Sequence, residues 1–166
     1  MIPLFKALIR PVLEYANSTW NPYLRKHVDE IESIQRHYTK CIIGFKSLSY
    51  YERLKRAKLP SLEYRRVRGD LIEVYKICHA IYDPTTTNTL LDFVSSNSRT
   101  RDHGYKITKP RYNTKQFQYF FTNRIINIWN NLPPEAANAS SVNSFKNNLD
   151  KIFQEYMYST NLYYMT

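Results

Sequence analysis

Glycine is scarce in this 166-residue sequence. The 3 glycines stand far apart, so no glycine-rich loop can cradle a phosphate group. Adjacent acidic residues occur only at Asp29-Glu30, in the first turns of a predicted helix, where the helix dipole explains them. A two-metal polymerase or nuclease needs carboxylates that converge on Mg²⁺ or Mn²⁺. The sequence therefore predicts no catalytic site of its own, no metal and no cofactor.

Cysteine is also rare. The 2 cysteines, Cys41 and Cys78, are too few for a disulfide framework, and they favour a reducing compartment. Both lie among apolar neighbours at helical spacing, and no histidine stands at a paired-ligand spacing from either of them. We therefore predict that both cysteines pack in the core.

Long apolar runs are missing as well, since a membrane-spanning helix takes about 20 such residues. The apolar opening, residues 1–13, is interrupted by Lys6, Arg10 and two prolines, and no cleavage site of a signal peptide follows. These absences predict that the chain binds no membrane. Together with the cysteine usage they predict an intracellular location, in the nucleus or the cytoplasm.

Positive charge is what the sequence has in excess, with a formal net charge of +10. Residues 46–68 hold eight basic and two acidic residues, and residues 99–115 hold six basic and one acidic residue. Such clustering is typical of a polyanion partner, although a solvated surface would also explain it. We predict that the partner is an RNA or DNA duplex bound through phosphate contacts, with no small-molecule substrate. The predicted contact residues are Lys55, Arg56, Arg65, Arg66, Arg99, Arg101, Lys109 and Arg111.

Three tyrosines, Tyr105, Tyr112 and Tyr119, lie in or next to the second basic stretch. Aromatic rings interleaved with basic residues can stack on bases while the cations neutralise phosphates. Half-buried packing of the rings is the alternative interpretation. The sequence leaves both interpretations open.

Apolar residues recur at three- and four-residue spacing over most of the chain, which is typical of amphipathic helices. The pattern predicts a mainly α fold, a small multi-helix bundle with a basic, partly extended segment between helices four and five. Residues 1–82 are predicted to form a four-helix subdomain. Residues 83–115 are predicted to form a basic loop or short extended arm, and residues 116–166 a C-terminal helical pair and tail. The placement of residues 84–98 and 157–166 stays open.

The helical spacing also predicts which residues are buried. In the fourth helix, which has the clearest pattern, Arg65, Arg66 and Arg68 lie off the apolar stripe and form a basic shoulder beside it. Ser49 and Glu52 have the spacing of a capping box that opens the third helix, and Ser141 is placed to cap the sixth. The predicted stripes are Leu4, Leu8, Val12 and Tyr15 in a helix over residues 4–20 bent at Pro11; Val28, Ile31, Ile34, Tyr38 and Cys41 in the second; Tyr64, Val67, Leu71, Val74, Cys78 and Ile81 in the fourth; Phe117, Phe121, Ile125, Ile128 and Leu132 in the fifth; and Val142, Phe145, Leu149, Ile152 and Tyr156 in the sixth.

Six blocks of the sequence resemble, in the same order, the region after the catalytic palm in reverse transcriptases of non-LTR retrotransposons (LINE-type, jockey-like). The resemblance covers about residues 4–155. The blocks are LIRPVLEYANSTWNPY (8–23), IESIQRHYTKCIIG (31–44), LEYRRVRGDLIEVYK (62–76), NSRTRDHG (97–104), FTNRIINIWNNLP (121–133) and SVNSFKNNLD (141–150).

The resemblance implies a parent RNA-directed DNA polymerase in which this region includes the thumb, a helical element that holds the template–primer duplex. On this basis residues 1–82 are thumb-like. The family's palm, with its metal-binding aspartates, would lie before Met1, so no catalytic residue carries over to this chain. The implied function is that of a truncated fragment with residual sequence-nonspecific nucleic-acid binding. Two alternatives stay open: a non-functional remnant of the element, and a helical protein-interaction module.

Overall fold

The computed structural model of the chain describes residues 2–87, 89–94 and 103–160. Over these ranges the chain is mainly helical, which confirms the predicted fold class. The β structure within them is an isolated antiparallel bridge between Phe93 and Ile107. The helices are α1 (Ile2–Leu4), a π-helical turn (Phe5–Ile9), α2 (Arg10–Glu14), α3 (Asn17–Trp20), α4 (Arg25–Lys40), α5 (Tyr50–Ala57), α6 (Leu62–Cys78), α7 (Pro84–Thr87), α8 (Lys115–Gln118), α9 (Phe121–Asn130), α10 (Pro134–Ala137) and α11 (Val142–Ile152).

Two compact units make up this structure. Within the described residues, unit 1 consists of residues 2–67 and 153–160, and unit 2 lies within residues 68–152. The division falls inside α6, between Val67 and Arg68, and therefore differs from the predicted boundary at residue 82. The apolar pattern of α6 continues across the division, and neither a proline nor a loop marks it. No local signal in the sequence indicates such a boundary.

The N-terminal helix differs from its prediction in both course and burial. Helical structure breaks at Ala16, which has a φ of 49°, while Pro11 sits without strain in the first turn of α2. The predicted stripe residues Leu4, Leu8, Val12 and Tyr15 are between 60% and 77% exposed, so the prediction that they are buried is wrong. The segment is apolar around most of its circumference, so spacing alone could not identify the side that packs.

Helix α4 buries a polar side, and of its predicted apolar stripe only Val28 is fully buried, while Ile31 and Tyr38 are half-buried. Its buried residues are Val28, Glu32, Gln35 and Thr39, whereas Ile34 is exposed. Cys41, predicted to pack in the core, follows the helix and is also exposed. The other cysteine, Cys78, is half-buried, and burial raises the pKa of its thiol to about 12. The buried polar side chains of α4 have hydrogen-bond partners: Gln35 donates to the Tyr50 hydroxyl and the Pro60 carbonyl, and Thr39 donates to the Arg36 carbonyl of its own helix.

The buried carboxylate of Glu32 lies at the N-terminus of α6 and is hydrogen-bonded there. The backbone N–H groups of Leu62 and Glu63 both donate to it at 3.2 Å, and the Tyr50 hydroxyl donates to it as well. The Ser61 hydroxyl accepts from the following backbone amide, that of Tyr64, at 3.1 Å. A carboxylate is favoured at this end of a helix because the first amides and the helix dipole are positive.

The start of α5 has the predicted capping box. The Ser49 hydroxyl accepts from the Glu52 amide at 3.3 Å, and the Ser49 amide donates to the Glu52 carboxylate at 2.8 Å. The helix ends at Lys58, whose φ of 50° turns the chain towards Pro60. The apolar side of α5 packs in the core of unit 1, which contains Phe5, Phe45, Leu54, Ala57 and Leu59.

The predicted stripe of α6 is confirmed over most of its length. Tyr64, Val67, Leu71 and Val74 are all buried. Ile81, the last predicted member, is exposed, because α6 ends at Cys78 and Ala80 turns the chain with a φ of 50°.

Two helices of unit 2, α8 and α9, take the place of the single fifth helix that the sequence predicted. Helix α8 ends at Gln118 and α9 begins at Phe121, and the corner between them leaves Phe117 exposed instead of buried. The Ser141 hydroxyl caps α11 as predicted, accepting from the Ser144 amide at 3.1 Å. The core of this unit includes Tyr75, Ile125, Trp129, Phe145 and Leu149, and the rings of Tyr75 and Phe145 stack with centroids 4.3 Å apart.

A short extended pair precedes α8, in the region predicted as a loop or extended arm. The Val94 amide donates to the Lys106 carbonyl at 2.9 Å, and the Thr108 amide donates to the Asp92 carbonyl at 2.7 Å. The side-chain amide of Asn130 binds both backbone groups of Ile107, at 2.9 and 2.8 Å. These bonds fix the buried Ile107 against α9 and leave Lys109 exposed.

Candidate nucleic-acid interface

The eight predicted contact residues have different environments. Lys55, Arg56, Lys109 and Arg111 are exposed. Arg65 is partly exposed and ion-paired, whereas Arg66 is buried. The two remaining predictions, Arg99 and Arg101, lie outside the described residues.

Burial or an ion pair with a carboxylate accounts for half of the cations in the first basic stretch. Arg53 is 3% exposed and Arg66 is 1% exposed. Arg65 forms a bidentate pair with Glu14, and Arg68 pairs with Asp150 at 2.6 and 2.8 Å. The sequence could not indicate these pairs, because the two carboxylates lie 51 and 82 residues away along the chain. The predicted basic shoulder of α6 is therefore wrong for Arg66, which is buried. At Arg65 and Arg68, the carboxylates of Glu14 and Asp150 neutralise the positive charge.

Four cations of this stretch remain exposed: Lys46, Lys55, Arg56 and Lys58, which we call the α5 cluster. Lys55 and Arg56 lie in the last turn of α5 and Lys58 caps it, where the negative end of the helix dipole favours cations. The Arg56 guanidinium lies over the Phe45 ring, 5.4 Å from its centroid, which brings it to the turn that carries Lys46. No ion pair among the described residues involves any of the four.

A second group of exposed cations lies in unit 2, and consists of Lys109, Arg111 and Lys115. The Lys109 ammonium donates to the side-chain oxygen of Asn127 at 3.1 Å, which ties the segment to α9. Residues 103–127 contain no Asp or Glu. The side chains of this group can therefore meet phosphate without a competing carboxylate from the same segment.

The tyrosines predicted beside these cations are half-buried, so they offer at most part of a ring to a ligand. Tyr105, for example, packs on His79 with ring centroids 4.7 Å apart. Two phenylalanines near these cations, Phe117 and Phe120, are exposed instead, at the corner between α8 and α9. The helical spacing of Phe117 assigned it to the core, and only the break between the two helices exposes it.

Arg66 has a structural role in unit 1. Within the described residues, none of its three guanidinium nitrogens has a hydrogen-bond partner. Its positive charge acts on the carboxyl of the buried Glu32. Burial has the larger effect and raises the pKa of Glu32 above its ordinary value of 4.5, against the hydrogen bonds from Tyr50, Leu62 and Glu63 and the charge of Arg66. The two buried charges therefore compensate each other in part.

We expect Glu32→Gln to change how stability depends on pH. Because the pKa of Glu32 is raised by folding, the folded chain holds a proton that the unfolded chain has released above 4.5. The stability advantage of the native chain over the variant should be greatest below that value and shrink as the pH rises through the raised pKa. Urea unfolding at several pH values between about 3 and 7 measures this difference.

Glu52→Gln is the matched control for this prediction. The Ser49 hydroxyl and amide lower the pKa of Glu52, so its contribution should be present above the ordinary value and lost as the pH falls through the lowered pKa. The two variants should thus show opposite trends. A native advantage over Glu32→Gln that grows with pH would contradict the burial of an acid with a raised pKa.

The described residues include no group of three or more His, Cys, Asp or Glu side chains placed to hold a metal ion. Nor does any helix among them have the length and apolar character required to cross a membrane. Comparison with protein-family models, curated proteins and solved structures finds no match to this chain.

Proposed function

We propose that the chain binds nucleic-acid duplexes without sequence preference, as a thumb-like fragment of a non-LTR retrotransposon reverse transcriptase. The observation that carries the proposal is the α5 cluster: three exposed cations at the C-terminal end of α5, and the exposed Lys46 next to Phe45, on which Arg56 packs, all without an ion-pair partner among the described residues. Lysine and arginine side chains in such a position bind backbone phosphates, which give affinity but no base recognition. The resemblance of the six sequence blocks supports the family origin.

The proposal assigns binding and no catalysis to this chain. No pair of carboxylates in the sequence suits a two-metal site, so nucleotide transfer would require a polymerase domain from elsewhere. A duplex partner places the protein in the nucleus or the cytoplasm. The cations of unit 2 would add phosphate contacts of the same kind.

The experiment compares two variants with equal changes in net charge. Lys55→Glu/Arg56→Glu reverses two charges of the α5 cluster, and Lys26→Glu/Lys151→Glu reverses two exposed lysines elsewhere. Titration with a fluorescent duplex at low salt should show affinity falling by roughly tenfold or more for the first variant and much less for the control. All four substituted side chains are exposed, so circular dichroism should show both variants folded.

Equal losses in the two variants would mean that net charge, and not the α5 cluster, determines binding. A folded native chain that binds no duplex at low salt would contradict the proposal. The two alternative interpretations, an element remnant and a protein-interaction module, would then remain.

A further inference from the structure

Unit 2 contains a groove of about 250 Å³ beside its basic segment. The buried side chains of Leu91, Ile107 and Ile126 line it and are apolar. Pockets for drug-sized ligands have roughly 300–1,000 Å³, so this groove suits a single flat ring system better than a larger ligand.

Two phenylalanines, Phe117 and Phe120, line the groove and are 48% and 54% exposed. Their position follows from the corner between α8 and α9. The side-chain amide of Asn123 donates to the Phe117 carbonyl at 2.7 Å, and its backbone amide donates to the Phe120 carbonyl at 3.0 Å. Asn123 itself is buried. The corner that presents the two rings is therefore held from the interior of unit 2.

The charged and polar side chains at the groove restrict the chemical class of ligand that it can bind. The exposed cations Lys109 and Arg111 flank Pro110, which lines the groove, and Lys115 begins the helix that carries Phe117. The lining residues include a single carboxylate, that of Asp92, and the hydroxyls of threonines. A carboxylate accepts hydrogen bonds from the amino groups of bases, whereas it repels the carboxylates of an acidic peptide.

We propose that this groove binds one unpaired base of a single-stranded segment, with the ring stacked on Phe117 or Phe120. Asp92 and the threonine hydroxyls would contact the edge of the base, and Lys109, Arg111 and Lys115 would bind the neighbouring phosphates. Stacking of bases on aromatic side chains beside cations is the general mode by which proteins hold single strands. The inference extends the proposed duplex binding, which uses the α5 cluster of unit 1, to a second site on the same chain.

The experiment uses the full chain and three matched DNA ligands: a blunt duplex, the same duplex with a short single-stranded overhang, and one whose overhang is abasic. The two overhangs carry equal charge, so a difference between them reports on the bases alone. The overhang with bases should bind at least about fivefold more tightly than the abasic one. A 2-aminopurine in the overhang should lose fluorescence as it stacks.

Phe117→Ala/Phe120→Ala should abolish the difference between the two overhangs and leave blunt-duplex binding unchanged. Phe117→Tyr/Phe120→Tyr keeps both aromatic faces and should retain the difference. Equal affinities for the two overhangs in the native chain would overturn the base site while leaving duplex binding intact. Base-dependent binding without blunt-duplex binding would instead support the base site and contradict the proposed function. If the two overhangs bind equally and an acidic peptide with an aromatic residue binds in a way that the alanine variant abolishes, the groove belongs to a protein partner and the inference is overturned.

Discussion

Replacing Asp70 with alanine is expected to lower the free energy of unfolding by about 3–5 kcal/mol. The carboxylate binds the Arg124 guanidinium through two hydrogen bonds, of 2.8 and 3.0 Å, and the two side chains are 0% and 5% exposed. Removing one partner leaves the other charge buried without its counter-ion, which is costly in a medium of low polarity. Urea unfolding followed by circular dichroism measures the change.

Asp150→Ala is the matched control, since Arg68 and Asp150 form a pair of the same bidentate geometry. Their side chains are 20% and 38% exposed, and partly solvated pairs of this kind contribute about 1 kcal/mol or less. The double variant Asp70→Leu/Arg124→Leu should recover much of the stability, because it removes both buried charges together. Equal costs for Asp70→Ala and Asp150→Ala would show that burial of the first pair is not what makes it important.

The affinity for a blunt duplex is expected to fall about a hundredfold between 50 and 200 mM salt. Each phosphate contact releases condensed counter-ions, and four contacts by the α5 cluster give a slope of about −3.6 in a plot of log affinity against log salt. Fluorescence anisotropy titrations at several salt concentrations measure this slope. Its size counts the contacts and is independent of the absolute affinity.

The Lys55→Glu/Arg56→Glu variant is the control for the salt slope. It should flatten the slope by about two units, because two of the four contacts are lost. A native slope near −6 would show that the cations of unit 2 also bind the same duplex. An affinity that does not depend on salt would contradict binding through phosphates.

Features that depend on neighbouring residues in the chain were predictable from the sequence. The capping box of Ser49 and Glu52 and the cap from Ser141 each join residues three apart. The stripe of α6, including Leu71 and Val74, combines helical spacing with apolar residues, and it is buried as predicted from Tyr64 to Val74.

Features that depend on distant partners could not be predicted. The carboxylate of Glu32 is buried because it binds amides that lie 30 and 31 residues later, at the start of α6. Arg66 looks in the sequence like any other arginine of a basic stretch, and its burial follows from the packing of α6 in unit 1. The sequence shows where the cations lie along the chain, but it does not distinguish exposed cations such as Lys55 from Arg65 and Arg66, which are ion-paired and buried.

The same limit applies to the aromatic residues. Phe117 has the helical spacing of a core residue, and its exposure depends on a corner that Asn123 and Arg124 stabilise through backbone carbonyls. Such a corner has no simple signature in composition or periodicity. The candidate groove was for this reason visible only in three dimensions.

The C-terminal segment, residues 153–160, belongs to the unit that contains the N-terminus. Ser61 donates from its amide to the Met157 carbonyl at 3.0 Å and from its hydroxyl to the Ser159 carbonyl at 2.6 Å. During synthesis on the ribosome, the residues of unit 2 all emerge before this segment does. Unit 1 begins first but receives this segment last, so Tyr158 can pack against the core that contains Phe5 and Leu54 only after nearly the whole described chain has been made.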